Sequence, residues 1–436
     1  MTWVVALSGG IGLLVALFVI RTPIFVAFLV LNLVGILIYF GPSGFGLFAN
    51  SIYATATNTA LAAVPLFIIM GEILFRSGAM ESLFEALDRL IGRIRGRQFI
   101  LCIILSAILG ALSGAAMAVA GLLWRSLYPT MIKRGYDRRL SLGSILGGAS
   151  LDPIIPPSVL AIIIAALAGV STGKLLVAGI GPGILLTGMF LIYVMIRVWA
   201  KPELAPDLID DAPDSNSGGV LYAIWKLVPP CSIFALVMGL IIGGIATPTE
   251  AAALGVLGAV LLSIYYGTFK PSMLSESVFA AVKISTILLL VMCSAVMFSQ
   301  LLTFAGAPQA LGKLVVEADL ALPIMIFIML ALPFFLFMFL DQMAIMLVLI
   351  PIYKPVLAIY GVDGIWFWTM FLVVATVGGI SPPFGYTLFA MKSAVPNVPI
   401  GELYKAAWPF VWLICLGIVL MVAFPSIVTF LPSLMP

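Results

Sequence analysis

The sequence predicts an all-α polytopic membrane protein, with about eleven transmembrane helices and two re-entrant hairpins arranged as an inverted repeat. Three observations carry this expectation. Of 436 residues, 63% are hydrophobic and only 9% charged, with a mean hydropathy of +1.25, which no soluble globular domain matches. A punctuated stretch occurs twice at one offset: Pro129, Gly135, Asp137 and Pro156-Pro157 return 226 residues later as Pro355, Gly361, Asp363 and Pro382-Pro383. Basic charge is uneven between the copies. Residues 76–139 hold ten lysines and arginines, and the window shifted by 226 holds two, Lys313 and Lys354.

The elements follow in order. Residues 3–20 and 24–40 read as two spans, and with a short helix in 41–60 they form N-terminal scaffold spans over 1–60. The first repeat, 61–199, opens on an apolar run. Residues 81–97 place Leu83, Phe84, Leu87, Leu90, Ile91 and Ile94 at helical spacing beside Arg89, Arg93 and Arg95, an interfacial amphipathic pattern. A long apolar element over 99–128 breaks at LGALSGAA, then a re-entrant hairpin follows over about 139–172 and a span over 174–199. Residues 200–218 are a polar linker. The second repeat, 219–436, has a span over 221–245 and a helix whose start at Thr247, Pro248 and Glu250 is a capping box, so Glu250 reads as a cap. A span to Tyr266, an interfacial segment at 270–284, a span over 284–305, an element over 321–352 broken near 337–341, a hairpin over about 364–394 and a last span over 408–431 complete it.

The hairpin assignment rests on length. Residues 140–173 lie between Arg139 and Lys174. Removing a break of roughly ten leaves arms of about 12 residues, or about 18 Å, against a hydrocarbon core of about 30 Å. Two ordinary helices with a kinked turn are the plain alternative. Basic loops stay in the cytoplasm, so the first repeat should enter from the cytoplasmic side and the second from the other.

Composition also excludes. There is no histidine, so histidine acid–base and metal chemistry is ruled out. Cys102, Cys231, Cys293 and Cys415 lie apart within apolar runs and make no metal or disulfide framework. A net charge of +3 says nothing about nucleic acid, because the basic residues sit in loops between spans, and the expected partner of the apolar spans is a lipid bilayer, with no nucleic acid.

The breaks are the candidate sites. GGASLDPIIPPS (147–158) and VGGISPPFG (377–385) combine glycine, which permits unusual dihedrals, with proline, which leaves carbonyls unpaired. Unwound backbone between half-helices offers carbonyl oxygen to sodium and helix N-termini to a carboxylate. Ser150, Asp152, Pro156, Ser158, Asp341, Pro382 and Thr387 are the candidate substrate-binding residues. Asp152 and Asp341 stand out because an intramembrane carboxylate is costly and usually functional. Each break should face a discontinuous element of its own repeat, at Ser113 and at 337–341. The glycines have a blander use in close helix packing, and Asp341 in an interface.

IIPPS after a KRGY loop, AGIGPG at 178–183, TPTEAAALG, LDQMAIMLVLIPIYKPV, GISPPFGYTLF and the ending FPSIVTFLP resemble the large membrane subunit of the tripartite ATP-independent periplasmic (TRAP) transporters over nearly the whole chain. The resemblance implies an elevator-type carrier of the ion transporter superfamily type in a bacterial inner membrane. It implies sodium-driven uptake of an organic acid, with a small membrane subunit and a periplasmic substrate-binding protein as partners, and no enzyme activity. It places one sodium around Ser113, Gly148, Leu151 and Pro153, and a second around Phe337, Gly378, Ser381 and Phe384. Asp152 replaces the family's usual glycine, Ser381 its usual threonine, and SGAAMA its usual serine-rich run. The competing readings are a stand-alone carrier of citrate-like anions, and an intramembrane enzyme or channel. An enzyme should cluster ionisable groups at depth, and a channel needs no inverted repeat.

Overall fold

The computed structural model describes residues 3–20, 22–113, 116–206, 219–394 and 398–436, and every regular element among them is helical. The first half contains α1 (Trp3–Val19), α2 (Ile24–Tyr39), α3 (Phe45–Ala56), α4 (Ala63–Arg76), α5 (Ala79–Ile91), α6 (Arg97–Ser113), α7 (Ala116–Lys133), α8 (Arg138–Ala149), α9 (Val159–Ala168), α10 (Thr172–Ala178) and α11 (Ile180–Ala200). The second contains α12 (Val220–Ile242), α13 (Pro248–Tyr265), α14 (Pro271–Phe304), α15 (Ala307–Glu317), α16 (Leu322–Phe337), α17 (Gln342–Tyr360), α18 (Gly364–Ile380), α19 (Tyr386–Ala394), α20 (Ile400–Ala423) and α21 (Ser426–Ser433). Seven helices among the described residues are long and apolar enough to cross a membrane. The chain is a multi-pass membrane protein.

The offset of 226 runs further than the motifs that first reveal it. Shifted back by 226, α13 falls on 22–39, where α2 lies; α15 falls on 81–91, on α5; α17 falls on 116–134, on α7. The repeat therefore reaches into the first sixty residues. One pair differs in kind. α14 is a single helix of 34 residues, whereas its counterpart is split into α3 and α4. Asn58 explains the split, because its side chain accepts from Ala60 N and caps a new turn, and the matching position is Ile284, which has no acceptor. The interfacial segment expected at 270–284 is thus corrected to the first half of one continuous helix.

Local contacts define two ends of the bundle. At one, Gln98 N donates to Tyr136 Oη at 3.4 Å, Asp137 N donates to Leu204 O at 2.9 Å, and Arg138 pairs with Glu402 at 3.2 Å. The starts of α6, α8 and α20 therefore meet the ends of α7 and α11. At the other, Tyr360 Oη donates to Leu320 O at 2.9 Å and Trp366 Nε1 to Met421 O at 3.4 Å. A Cβ on Gly364 would sit 3.2 Å from Val170, and one on Gly169 would sit 3.0 Å from Lys354 Nζ. The starts of α16 and α18 there meet the ends of α9, α17 and α20.

These ends correct the hairpin assignment. α6 and α7 start and finish at the same end and pack along each other, as α16 and α17 do at the opposite end. They are helix hairpins, each returning to the end where it started. The segments 139–172 and 364–394 are instead helices crossing the bundle from end to end, unwound in the middle. α8 starts beside Glu402 and α9 finishes beside Lys354, and the two do not pack along each other. Along α19, Met391 O accepts from Trp124 Nε1 of α7 at 3.3 Å, and α20 then starts at the first end. A double-proline break between two short arms satisfies either topology, and only the end that the second arm reaches decides between them. Because α8 and α18 start at opposite ends, the repeat is inverted.

Close packing holds these pieces in register. α8 lies against α20 through Gly143 and Gly147, where a Cβ would stand 2.7 Å from Ala406 O and 2.1 Å from the Phe410 ring. Both crossing helices start on an aspartate cap: Asp137 accepts from Leu140 N at 2.8 Å and Asp363 from Ile365 N at 2.7 Å, each worth about 1 kcal/mol. Gly135 and Gly361, which precede these caps, both have positive φ, as a sharp helix exit requires. The capping box at Thr247 and Glu250 is present as expected. α5 buries Leu83, Ala86 and Leu87 and packs on α12, with α4 on α13 and α14.

Candidate cation and substrate site

Each broken helix meets the hairpin of its own repeat, in registers that differ by one residue, since Gly110 corresponds to Leu336 at the offset of 226. In the first, a Cβ on Gly110 of α6 would stand 3.0 Å from Asp152 Cα. In the second, a Cβ on Gly378 would stand 2.2 Å from Phe337 Cβ and 2.8 Å from Phe337 O. Asp152 and Gly378 are related by the offset of 226. Both Pro156-Pro157 and Pro382-Pro383 are cis.

The first break, 150–158, is largely buried and internally bonded. Ser150, Asp152 and Ser158 are all buried. Ser150 Oγ donates to Gly147 O at 2.7 Å, and Ser158 Oγ donates to Pro153 O while accepting from Ala161 N at 3.2 Å. Ser158 is thereby the N-cap of α9. Leu151 N donates to Gly148 O, and Ile154 N to Leu151 O, both at 3.0 Å. The carbonyls of Gly148, Leu151 and Pro153 therefore lie close in sequence around the break; Leu151 O accepts from both Ile154 N and Ile155 N at 3.0 Å and so is fully used within the turn. Gly148 touches α6 directly, since a Cβ there would fall 2.3 Å from Ser106 Oγ. Ser113 closes α6, three residues beyond Gly110; its side chain lies outside the described residues.

The second break, 381–385, is shorter and tied to the hairpin by backbone. Phe384 N donates to Met338 O at 3.2 Å, inside the 338–341 turn between α16 and α17. Ser381 Oγ donates to Val377 O at 2.7 Å, and Pro383 O accepts from Tyr404 Oη at 2.7 Å. Of the second expected cation set, Phe337 and Gly378 are in contact, Ser381 opens the break, and Phe384 is bonded to the residue after Phe337. Carbonyl and hydroxyl oxygens on an apolar frame suit a hard cation, and the missing Cβ at Gly378 is what lets the Phe337 carbonyl approach. The fit is closer here than at the first break.

Asp341 caps α17: its Oδ1 accepts from Met343 N at 2.8 Å and Ala344 N at 3.3 Å. It sits at the hairpin turn, with its side chain exposed. Thr387 is buried in the first turn of α19, and Pro156 and Pro382 are buried within the breaks. Three residues complete the surroundings that sequence reading missed. Tyr386 has Thr387 and Gln342 beside its hydroxyl, and the carboxylates of Asp152 and Asp341 are both within electrostatic reach of it. Its ring packs on α18, where a Cβ on Gly379 would stand 2.6 Å away. Gln342 Nε2 donates to Ala375 O, fixing the hairpin turn on α18. Tyr404 holds the second break through Pro383. A signal existed for two of them: Gln342 adjoins Asp341 in an otherwise apolar run, and Tyr386 directly follows the second break.

Comparison with known proteins agrees with this architecture. The large permease protein TeaC of an ectoine TRAP transporter from Halomonas elongata is 29% identical, covering 97% of this chain and 98% of that one. The C4-dicarboxylate permease protein DctM from Pseudomonas aeruginosa is 27% identical over 91% of this chain and 92% of that one. The solved YdaH transporter from Alcanivorax borkumensis superposes with a TM-score of 0.65 at 16% identity, covering 91% of each chain, and so shares the fold. The family model described as the DctM component of the tripartite ATP-independent periplasmic transporter matches residues 11–427, and this chain, a permease subunit and not an enzyme, belongs to that family.

Proposed function

We propose that this chain performs sodium-coupled secondary active uptake of an organic acid delivered by a periplasmic binding protein. Transport follows an elevator form of alternating access in a bacterial inner membrane. A small membrane subunit packs on the scaffold, formed by α1–α5 and α12–α14. The moving part carries both hairpins and both broken helices. Ten segments cross the bilayer in this reading, with two hairpins between them. The observation that carries it is the meeting of two broken helices with two hairpins that enter from opposite ends, which gives one site two possible exits.

The chain's own residues supply the site. Backbone carbonyls at Gly148 and Pro153 with Ser113, and at Phe337, Gly378 and Phe384 with Ser381, hold two or more sodium ions. Sodium neutralises the anionic solute beside it. Tyr386 and Thr387 supply hydroxyls beside the second break, Ser158 holds the first break in shape by its bonds to Pro153 O and Ala161 N, and Pro156 and Pro382 withhold donors that would otherwise close the breaks. The organic acid class fits relatives named for ectoine and C4-dicarboxylates.

Reconstitution tests the reading. In liposomes with an inward sodium gradient, the lone chain should transport little, and adding the small subunit and the loaded binding protein should restore uptake. Robust sodium-driven uptake by the lone chain would instead favour a stand-alone carboxylate symporter. Orientation is tested by labelling single cysteines in a background lacking Cys102, Cys231, Cys293 and Cys415. Cysteines in the Lys133–Arg139 loop should react from the cytoplasm, and ones at Val170 and Gly364 from the periplasm. Reaction of Val170 from the cytoplasmic side would restore the hairpin at 139–172.

A further inference from the structure

An apolar groove of about 480 Å³ lies behind the first break. Ala111 of α6, Pro156 of the break, Ile184, Thr187 and Gly188 of α11, and Phe234 of α12 line it. It sits at the seam between the hairpin of the first repeat and α12. Pro156 follows an arm of 12 residues, so the groove lies about 18 Å in from the end where α8 starts, near the middle of a bilayer.

Three features decide what fills it. The groove offers a polar ligand almost nothing: Thr187 Oγ1 already donates to Gly183 O at 2.6 Å, and Cys231, the other lining residue with a polar atom, has only a weak thiol. It is continuous with the outward face of α11, where Ile184 is 69% and Ile192 59% exposed. In a helix that crosses a membrane, that face meets hydrocarbon. Its volume of about 480 Å³ is far below that of a membrane-spanning helix, which is about 30 Å long and about 10 Å across.

We infer that this groove is a binding site for one acyl chain of a bilayer phospholipid, seated against Pro156 on the side of the break away from Ser106 and Gly148. The inference concerns the seam and holds whichever solute the chain carries. Gly188 is the handle, because a Cβ there meets nothing within 4 Å. A leucine side chain enters the groove without displacing protein atoms.

The experiment is native mass spectrometry of the detergent-purified full chain after delipidation and titration with palmitoyl-oleoyl phosphatidylethanolamine. The parent should retain one lipid per chain. Gly188→Leu should lower that occupancy about tenfold, what losing two buried methylenes does to affinity, and Gly188→Ala should leave it near the parent's. Elution of both variants at the parent volume confirms the fold. Equal retention by the parent and Gly188→Leu means annular lipid only and overturns the site, as does a parent with no retained lipid. If Gly188→Leu instead weakens retention of a co-expressed small subunit while lipid stays, a partner helix covers the seam and the proposal fails.

Discussion

The two breaks share an offset, a double proline and a hairpin partner, yet they close differently. At the second, Gly378 presses on backbone: the Phe337 carbonyl lies 2.8 Å from where a Cβ would be. At the first, Gly148 presses on a side chain, Ser106 Oγ, and the position matching Gly378 is Asp152, which packs on Gly110. The obstacle at the second includes backbone, which no substitution removes, and at the first it is the Ser106 side chain, with Oγ at 2.3 Å and Cβ at 2.6 Å, which a smaller residue removes. The second break is therefore closed by backbone, and the first by a side chain beside a carboxylate.

Substitutions should separate these characters. The largest effect is expected at Gly378→Val, which forces the Phe337 backbone outward and should abolish sodium-dependent uptake while the protein still inserts; normal sodium dependence would remove the second site. Gly148→Ala should cost less, about tenfold in uptake at limiting sodium, and Ser106→Gly in the same chain should recover most of it, since the two residues are in contact and their effects are coupled. Failure of that rescue would mean the first break is not closed by the Ser106 side chain. Asp152→Gly makes the first break resemble the second. If the carboxylate supports cation binding, the sodium concentration for half-maximal uptake should rise several-fold, on the order of 1 kcal/mol. An unchanged value would leave Asp152 as packing against Gly110. The smallest change is expected for Ser381→Thr, where the bond to Val377 O is kept and one methyl is added, giving less than about twofold in sodium affinity.

Much of this arrangement is legible without coordinates. The offset, the loops that carry Gly135 with Asp137 and Gly361 with Asp363, the capping box at Glu250 and the location of both breaks follow from local chemistry. The paths of the chain away from the breaks do not. The sequence between α6 and α7 contains a single glycine and no proline, a weaker punctuation mark than IIPPS, although α6 and α7 run antiparallel and the two arms around IIPPS do not. Which marks reverse the chain depends on contacts such as Arg138–Glu402 and Gly169–Lys354, which join residues hundreds of positions apart. Tyr386 escapes a sequence reading for a related reason: its place beside Gln342 and against Gly379 is set by the fold and not by its neighbours in the chain.

The unbroken α14 has a further consequence. At 34 residues it extends about 51 Å, longer than the hydrocarbon it crosses, while its counterpart bends at Asn58. Two halves of equal shape that trade places would make the inward-facing and outward-facing forms equal in free energy. Here they are unequal by construction. In the alternating-access reading the empty carrier thus has a preferred resting side, and a difference of only about 1.4 kcal/mol would park ten molecules there for each one opposite.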